Sequence, residues 1–193
     1  MKVKTKSRIS ATLVIAVFMA TNTVSIASEI SGINPVNGVY NITPKSIIKG
    51  GKIGYRDYKN FNLDKGDTAN LNYNQGINTF VNLVDNKINI NGIVNTVKNN
   101  SYYGGNAVFV SPKGIVIGDS GVLNAGSLTI NTPRAEAYAQ YKTKPEEAMN
   151  GLININKNAS VIINGNINTT NGTEINSGTV TINKSALINN SLG

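Results

Sequence analysis

The chain of 193 residues contains 18 Lys and Arg, 10 Asp and Glu, and no His, Cys or Trp. Without His or Cys, this composition excludes metal sites built on those ligands, thiol catalysis and histidine-based catalytic triads. Asn and Ile are the favoured residues, with 32 and 24 copies, and they pair a turn former with a strand former. The composition therefore predicts one domain of many short strands and many turns.

The first 27 residues have the three parts of a secretory signal peptide. Basic residues within Lys2–Arg8 precede an apolar run, Ile9–Ala20, and Ser25 and Ala27 fit a cleavage site before Ser28. The run is shorter than the roughly 20 residues of a membrane-spanning helix, so a transmembrane anchor is the weaker alternative. We expect an exported protein, cleaved between Ala27 and Ser28, with no stable membrane span.

Half of the positive charge belongs to this leader. Its four basic residues leave 14 Lys and Arg against 10 Asp and Glu, so the net charge falls from +8 to +4. The remaining Lys residues are scattered and form no stripe interleaved with aromatic residues. We therefore expect no nucleic-acid binding.

The exported part divides into two regions by pattern. Residues 28–69 are rich in Gly and Pro and are interpreted as an N-terminal cap with the first strands. From residue 70 to 193, apolar runs of a few residues alternate with polar residues, which is typical of strands. The clearest runs are Ala107–Val110, Ile115–Ile117, Ser127–Ile130, Val161–Ile163 and Thr179–Ile182.

Two all-β architectures fit this pattern. An antiparallel sandwich or barrel would use Asn91-Gly92 and Asn164-Gly165 as hairpin turns. A parallel β-helix fits better, because it stacks very short strands with Ile and Val inside and Asn or Gly at the corners. With roughly 20 residues per repeat, the Asn-rich stretches 152–156 and 164–168 would stack like residues into amide ladders.

Residues 133–149 break the strand pattern with charged residues and four Ala. We interpret this segment as a solvated surface loop with a helical turn after Pro145, and a loop that contacts a partner is the alternative.

Catalysis is a weaker hypothesis. The close acidic pairs are Asp64 with Asp67, in a Gly turn, and Glu146 with Glu147. Neither predicts the positioned carboxylate pair that acid–base catalysis needs. We expect no catalytic residue, metal or cofactor. A secreted β-helical carbohydrate-active enzyme or carbohydrate-binding protein remains the alternative class.

The stretch Asn106–Pro133 resembles the signature of the two-partner secretion domain of filamentous haemagglutinin-like adhesins. In that family an apolar strand leads into an Asn-Pro-Asn-Gly-Ile turn, which is similar to Ser111–Ile115 here. Upstream, Phe80–Val84 resembles the family's Val-Asn-Arg-Val segment, and Ile88–Ile93 resembles its Ile-x-Gly-x-Ile strand. The resemblance covers about residues 70–193.

Three positions depart from the family pattern. Ser111 and Lys113 replace the two Asn of the turn, and Leu83 stands where the family usually has Arg. A type I turn accepts Ser first, Pro second and Gly fourth, so the geometry of the turn should survive. The changes affect a side-chain contact at position 113 and a surface charge at position 83.

The resemblance implies a right-handed parallel β-helix that acts, without a cofactor, as the secretion signal of a larger bacterial adhesin or toxin. Its partner would be an outer-membrane β-barrel transporter with periplasmic POTRA domains, which binds the chain in unfolded or extended form. The exported protein would fold at the cell surface or in the medium, where a host-cell surface or extracellular matrix is a further partner. The chain would then be truncated at its C-terminal end.

The resemblance and the turn pattern together assign transporter recognition to two short segments and one further residue. The expected recognition residues are Ser111, Pro112, Lys113, Gly114 and Ile115 in the turn, with Asn82, Asn91, Gly92 and Ile93 beside it.

Overall fold

The computed structural model describes residues 27–48, 50–149 and 154–190. Residues 1–26 of the expected signal peptide lie outside the described residues. The strands are β1 (Glu29–Ile30), β2 (Val39–Ile42), β3 (Ser46–Ile48), β4 (Ile53–Tyr58), β5 (Phe61–Leu63), β6 (Thr68–Asn72), β7 (Thr79–Val84), β8 (Ile88–Ile90), β9 (Ile93–Lys98), β10 (Ser101–Tyr102), β11 (Asn106–Val110), β12 (Ile115–Ile117), β13 (Val122–Ala125), β14 (Ser127–Asn131), β15 (Ser160–Ile163), β16 (Asn166–Thr169), β17 (Thr173–Asn176), β18 (Thr179–Ile182) and β19 (Leu187–Asn190). The helices are α1 (Ala135–Thr143) and one 3-10 helix (Pro145–Met149). Neither helix in these ranges is long and apolar enough to cross a bilayer.

The strands form three sheets in which most neighbours are parallel. Sheet A has the order β1-β5-β8-β12-β15-β18, sheet B has β2-β6-β9-β13-β16-β19, and sheet C has β3-β4-β7-β11-β14-β17. Apart from the hairpin strands β3 and β10, the chain from β2 onward visits sheets B, C and A in turn. We name one such passage a rotation. From β6 onward, each of these strands pairs in parallel with the strand one rotation earlier, which confirms a mostly β chain with parallel strands in its sheets.

Corner positions decide between the two architectures. Asn91-Gly92 joins β8 of sheet A to β9 of sheet B, and Asn164-Gly165 joins β15 of sheet A to β16 of sheet B. A hairpin turn would instead join two antiparallel neighbours of one sheet. The alternative architecture, an antiparallel sandwich or barrel in which these two dipeptides form hairpin turns, is therefore wrong.

Alternate side chains of the strands point between the three sheets and form the main core. Parallel register places like residues over like residues, so Ile88, Ile115 and Val161 occupy one position of sheet A in successive rotations. All three are fully buried. Phe61 and Phe109 fill the centre, with ring centroids 5.4 Å apart in an edge-to-face arrangement. Apolar stacking of this kind is what holds strands of three to six residues together.

The repeat is longer and less regular than the expected length. Successive positions of sheet B in register are 29, 25, 29, 44 and 21 residues apart. The hairpin formed by β3 and β4 lengthens the first interval, the hairpin formed by β9 and β10 the third, and the helices the fourth. These insertions project from the stack at points between its strands. They therefore change the repeat length but not the register.

The N-terminal part of the chain joins the same three sheets. The expected boundary at residue 70 lies within β6, which pairs in parallel with both β2 and β9. At this end of the stack, sheet A is bordered by β1 and sheet C by β3, and both border strands are antiparallel to their neighbours.

The segment that was expected to be a solvated loop packs against the outer face of sheet C. The buried residues of the two helices are Ala137, Tyr138, Tyr141, Pro145 and Ala148. They cover outward side chains of sheet C, including Val81, Leu83, Val108 and Val110. The expectation of a solvated loop is therefore wrong, whereas the helical turn after Pro145 is confirmed. The helices pack here because the outward side chains of β7, Val81 and Leu83, are apolar, and β7 is thereby buried on both of its faces.

Polar contacts fasten this helical segment, residues 135–149, to the ends of β7 and β14. The hydroxyl of Tyr138 donates to Asp85 Oδ1 over 2.8 Å, and the Lys142 ammonium pairs with the same carboxylate. Asn131 Nδ2 donates to the carbonyl oxygen of Ala148 over 2.6 Å. The helical segment is thus held by charge-assisted contacts at one end and by an amide at the other.

The buried Tyr55, which packs in the same cluster as the helical segment, predicts a loss of stability in alkali. Burial raises the pKa of Tyr55 to about 12, whereas an unfolded chain releases phenolic protons near pH 10. The folded form retains the proton that the unfolded form loses, so this stability is complete below pH 10 and is lost between pH 10 and 12. Urea midpoints measured across this range should fall, and Tyr55→Phe should make the decline shallower.

The matched control for this prediction is Tyr102→Phe, because the Tyr102 side chain is 55% exposed and should affect the pH dependence less. A Tyr55→Phe variant that loses stability with alkali as steeply as the parent chain would contradict the prediction.

Candidate functional site

The turn Ser111–Gly114 connects β11 of sheet C to β12 of sheet A, at one corner of the stack. The Gly114 N–H reaches the Ser111 carbonyl oxygen over 3.4 Å, and the Lys113 N–H donates to Ser111 Oγ over 3.1 Å. Gly114 has a φ of +95°, a conformation that side chains disfavour. The corner expected from the sequence is therefore present, and it uses the residue types expected at each position.

On one side, the turn bonds to the corner of the preceding rotation. Ser111 Oγ donates to the Asn86 carbonyl oxygen over 2.9 Å, and Lys113 Nζ donates to Asn86 Oδ1 over 2.7 Å. Asn86 Nδ2 donates in turn to Asn60 Oδ1 over 2.7 Å. Lys113 thus supplies the donor that an amide would supply in this column, so the departure from the family pattern retains a side-chain contact.

On the other side, the following rotation closes over the turn. Asn156 Nδ2 donates to the Pro112 carbonyl oxygen over 2.9 Å. A Cβ atom at Gly114 would overlap the carbonyl oxygen of Ser160. Glycine is therefore required at this corner for two reasons, the left-handed backbone and the close approach of the next strand.

Asn82 lies inside the main core and has no exposed surface. Its Oδ1 accepts from the Tyr58 hydroxyl over 2.9 Å, and its Nδ2 donates to the carbonyl oxygens of Phe80 and Val108 over 3.2 and 3.3 Å. Burial raises the pKa of Tyr58 well above its usual value, so this hydroxyl stays a neutral donor. Asn82 is therefore a satisfied buried amide in the folded chain.

Asn91, Gly92 and Ile93 form a second corner, between sheets A and B. The N–H groups of Asn91 and Gly92 both reach the Leu63 carbonyl oxygen, over 2.7 and 3.2 Å. A Cβ atom at Gly92 would overlap the carbonyl oxygen of Asp67. Ile93 is 41% exposed at the start of β9. This corner also bonds to the rotation before it, through backbone groups.

The predicted recognition residues do not share one surface of the folded chain. The turn Ser111–Gly114 stacks on the corner that contains Lys87, which comes before β8. The corner at Asn91-Gly92 comes after β8, so this strand separates the two corners. Asn82 is enclosed by the sheets. What these residues share is a bond to a neighbouring rotation, which makes them determinants of the stack.

The expected cleavage point lies at the beginning of the described residues. The Ser28 carbonyl oxygen accepts from the Tyr40 hydroxyl over 3.1 Å, and Ser28 Oγ accepts from the Asp64 N–H over 2.6 Å. Ser28 is therefore tied to the next rotation, whereas Ala27 is exposed.

Sheet B carries an amide ladder that the sequence indicated only in part. Its members are Asn41, Asn70, Asn95, Asn124, Asn168 and Asn189. Side-chain hydrogen bonds of 2.8 to 3.3 Å join each Asn to the next. The stretch 164–168 contributes Asn168 to this ladder, where it stacks between Asn124 and Asn189 rather than on the stretch 152–156. Asn164 bonds to Asn183 at a different corner. Of the stretch 152–156, residues 152 and 153 lie outside the described residues, and Asn156 bonds to Pro112 instead.

A signal for the whole ladder was present in the sequence. Each member follows directly after an inward side chain of sheet B, as in Tyr40-Asn41, Ala69-Asn70 and Leu123-Asn124. The unequal spacing hides this pattern, because the intervals between members range from 21 to 44 residues.

The acidic pairs considered for catalysis lie on turns and helices rather than in a shared cleft. Asp64 and Asp67 flank the turn between β5 and β6, and Asp64 Oδ1 accepts from the Lys65 N–H over 2.8 Å. Glu147 lies in the 3-10 helix, 3.6 Å from the Lys144 ammonium. Across residues 27–48, 50–149 and 154–190, no three acidic side chains come together as a metal site.

Comparison with known proteins identifies no relative. No protein-family model, curated protein or solved structure matches the chain. The family resemblance of Asn106–Pro133 therefore stays a prediction that depends on its residues.

The contact of Gly114 with Ser160 predicts a large effect of a single methyl group. Gly114→Ala should lower the free energy of unfolding by the left-handed backbone penalty of about 1–2 kcal/mol, plus about 1–3 kcal/mol for forcing a close contact. Urea denaturation of the purified chain measures the sum.

Gly172→Ala is the matched control, because Gly172 has a similar φ of +101° and open space where the methyl group would go. It should show the backbone penalty alone. Equal losses of stability for the two variants would contradict the assigned contact.

Proposed function

We propose that this chain is the secretion domain of a filamentous haemagglutinin-like adhesin, exported across the outer membrane by two-partner secretion. The observation that carries the proposal is the turn Ser111–Gly114, which joins β11 of one parallel sheet to β12 of another at a corner, in the same order as the resembled signature. The partner would be a β-barrel transporter with POTRA domains, and the destination would be the cell surface or the medium.

The arrangement of the sheets supports a right-handed parallel β-helix as the fold of this domain. Three parallel sheets visited in rotation are what such a helix contains. The antiparallel strands β1 and β3, which border sheets A and C at the N-terminal end, support the interpretation of this end as a cap. A cap of this kind would cover sheet edges that otherwise invite pairing with other chains.

The burial of the recognition residues favours binding of an unfolded chain. Asn82, Ser111, Gly114 and Ile115 are all buried in the folded structure. A transporter could contact these residues only before the rotations stack. An extended segment could add as a strand to a sheet of the POTRA domains, which would read backbone groups and alternate side chains.

Stacking could then bias the movement of the chain outward. Each completed rotation presents unpaired backbone groups to which the next rotation can bond, so folding can propagate from one repeat to its neighbour. Segments that emerge from the transporter would be captured by the part already folded. Such a scheme needs no nucleotide hydrolysis. The exported adhesin could then attach to a host-cell surface or extracellular matrix.

Secretion of the full chain tests this proposal directly. Cells should release the protein into the medium only when they also express a β-barrel transporter with POTRA domains. A variant with Pro112→Ala and Lys113→Ala should be retained in the periplasm, because it alters the turn at positions that are not fully buried. Immunoblots of medium and periplasm measure the secreted fraction.

Gly172→Ala is the control for a general loss of stability, since it lies in a different corner, and it should still be exported. Equal release without the transporter would contradict the proposal. So would equal retention of the turn variant and the Gly172→Ala chain, because export would then depend on folding rather than on the turn.

A further inference from the structure

The outer face of sheet B is uncharged along two complete rows of side chains. One row is the amide ladder. The row beside it contains Val39, Thr68, Ile93, Val122, Asn166 and Leu187. The absence of charge from both rows makes this face unsuited to phosphates, acidic polymers or basic peptides, which proteins bind through ion pairs.

The amide ladder has unused hydrogen-bonding capacity that faces outward. A primary amide offers two N–H donors and two acceptor positions. Asn124 uses one donor to reach Asn95 and one acceptor position to receive Asn168, each over 2.8 Å. Each inner member of the ladder therefore retains one N–H and one lone pair. These pairs of groups repeat at the strand spacing of about 4.8 Å.

A short hairpin places an aromatic ring beside the ladder. Asn99 and Asn100 have φ values of 52° and 59°, which fit a type I′ turn that Asn tolerates well. The hairpin returns as β10, and Tyr102 pairs with Val97 of β9. Because β13 pairs with β9 only as far as Asn95, β10 occupies the side of β9 that β13 leaves vacant. Tyr102 remains 55% exposed there.

The hairpin and the ladder together enclose a groove of about 370 Å³. The lining residues are Asn95, Tyr102, Asn124, Asn168, Thr169 and Thr170. Thr169 and Thr170 line one end of the groove, where their hydroxyls donate to Asn190 Oδ1 and to the Gly126 carbonyl oxygen, and no lining residue is charged. The groove therefore combines one exposed aromatic ring with a row of neutral donors and acceptors.

We propose that this groove binds a neutral saccharide chain. A sugar hydroxyl is both donor and acceptor, which suits an amide that offers one N–H and one lone pair together. The apolar face of a sugar ring can lie against Tyr102, whose ring supplies contact area at little entropic cost. The Asn95, Asn124 and Asn168 side chains would bond to successive hydroxyls. This site is independent of export and of the turn Ser111–Gly114.

Titration of the full chain, labelled with ¹⁵N, with cellohexaose, chitohexaose and maltohexaose tests the site. At least one of these neutral hexasaccharides should bind with a Kd below about 1 mM. The side-chain amide signals of Asn95, Asn124 and Asn168 should shift, whereas those of Asn60 and Asn86 at the distant corner should not. A hexasaccharide of galacturonic acid, which is charged, should cause no such shifts.

Substitutions of the ring separate stacking from other effects. Tyr102→Ala should weaken binding about tenfold, which corresponds to about 1.4 kcal/mol, whereas Tyr102→Phe should change it by less than about threefold because the ring is retained. Ile182→Ala removes an exposed apolar side chain from sheet A and should leave the Kd unchanged. Unchanged circular dichroism would verify that each variant is folded.

Three results would overturn the assignment. The first is no saturable binding of any of the three neutral hexasaccharides. The second is binding that Tyr102→Ala leaves intact. The third is a change in the side-chain amide signals of the ladder with protein concentration when no sugar is present. That result would mean that this face binds a second copy of the chain.

Discussion

Parallel register between successive rotations is the constraint on which the rest of this structure depends. Strands of three to six residues are too short to be stable alone, and each gains its stability from the strands before and after it. Register also decides which side chains meet. It stacks Ile88, Ile115 and Val161 in the core and lines up six Asn residues on the outside of sheet B. Because one residue of slippage would exchange inward and outward side chains, apolar stacking and the amide ladder favour the same alignment.

The helical segment accounts for the apolar residues on the outer face of sheet C. Leu83 stands where the resembled family usually has Arg, and in this chain it is fully buried beneath the helical segment. A guanidinium at this position would lose its water without an evident partner, at a substantial cost in free energy. Leu83 and its neighbour Val81 therefore fit the presence of the helices. Asp85, at the end of the same strand, fastens Tyr138 and Lys142.

The sequence predicted the short strands, the parallel pairing and the corner at Ser111–Gly114, because alternation and turn residues are local signals. It predicted the helical segment poorly, although the run Phe80–Val84, which is apolar apart from Asn82, is typical of a strand buried on both faces. The role of Asn82 could not be read from the chain, since its partner Tyr58 is 24 residues away. Lys113 makes a side-chain contact although it is not an amide, because its ammonium reaches Asn86 Oδ1 at the same corner. The insertions make the intervals between ladder residues unequal, and this concealed most of the ladder in the sequence.

Paired cysteines test the parallel register most directly, since the native chain contains no Cys. Asn124 and Asn168 are in register although 44 residues separate them, and adjacent strands bring Cα atoms to about 4.8 Å, within the range of a disulfide. Asn124→Cys with Asn168→Cys should therefore close quantitatively under mild oxidation. Asn95→Cys with Asn168→Cys, two strands apart, should remain reduced. Closure of the second pair in preference to the first would contradict the stacking order.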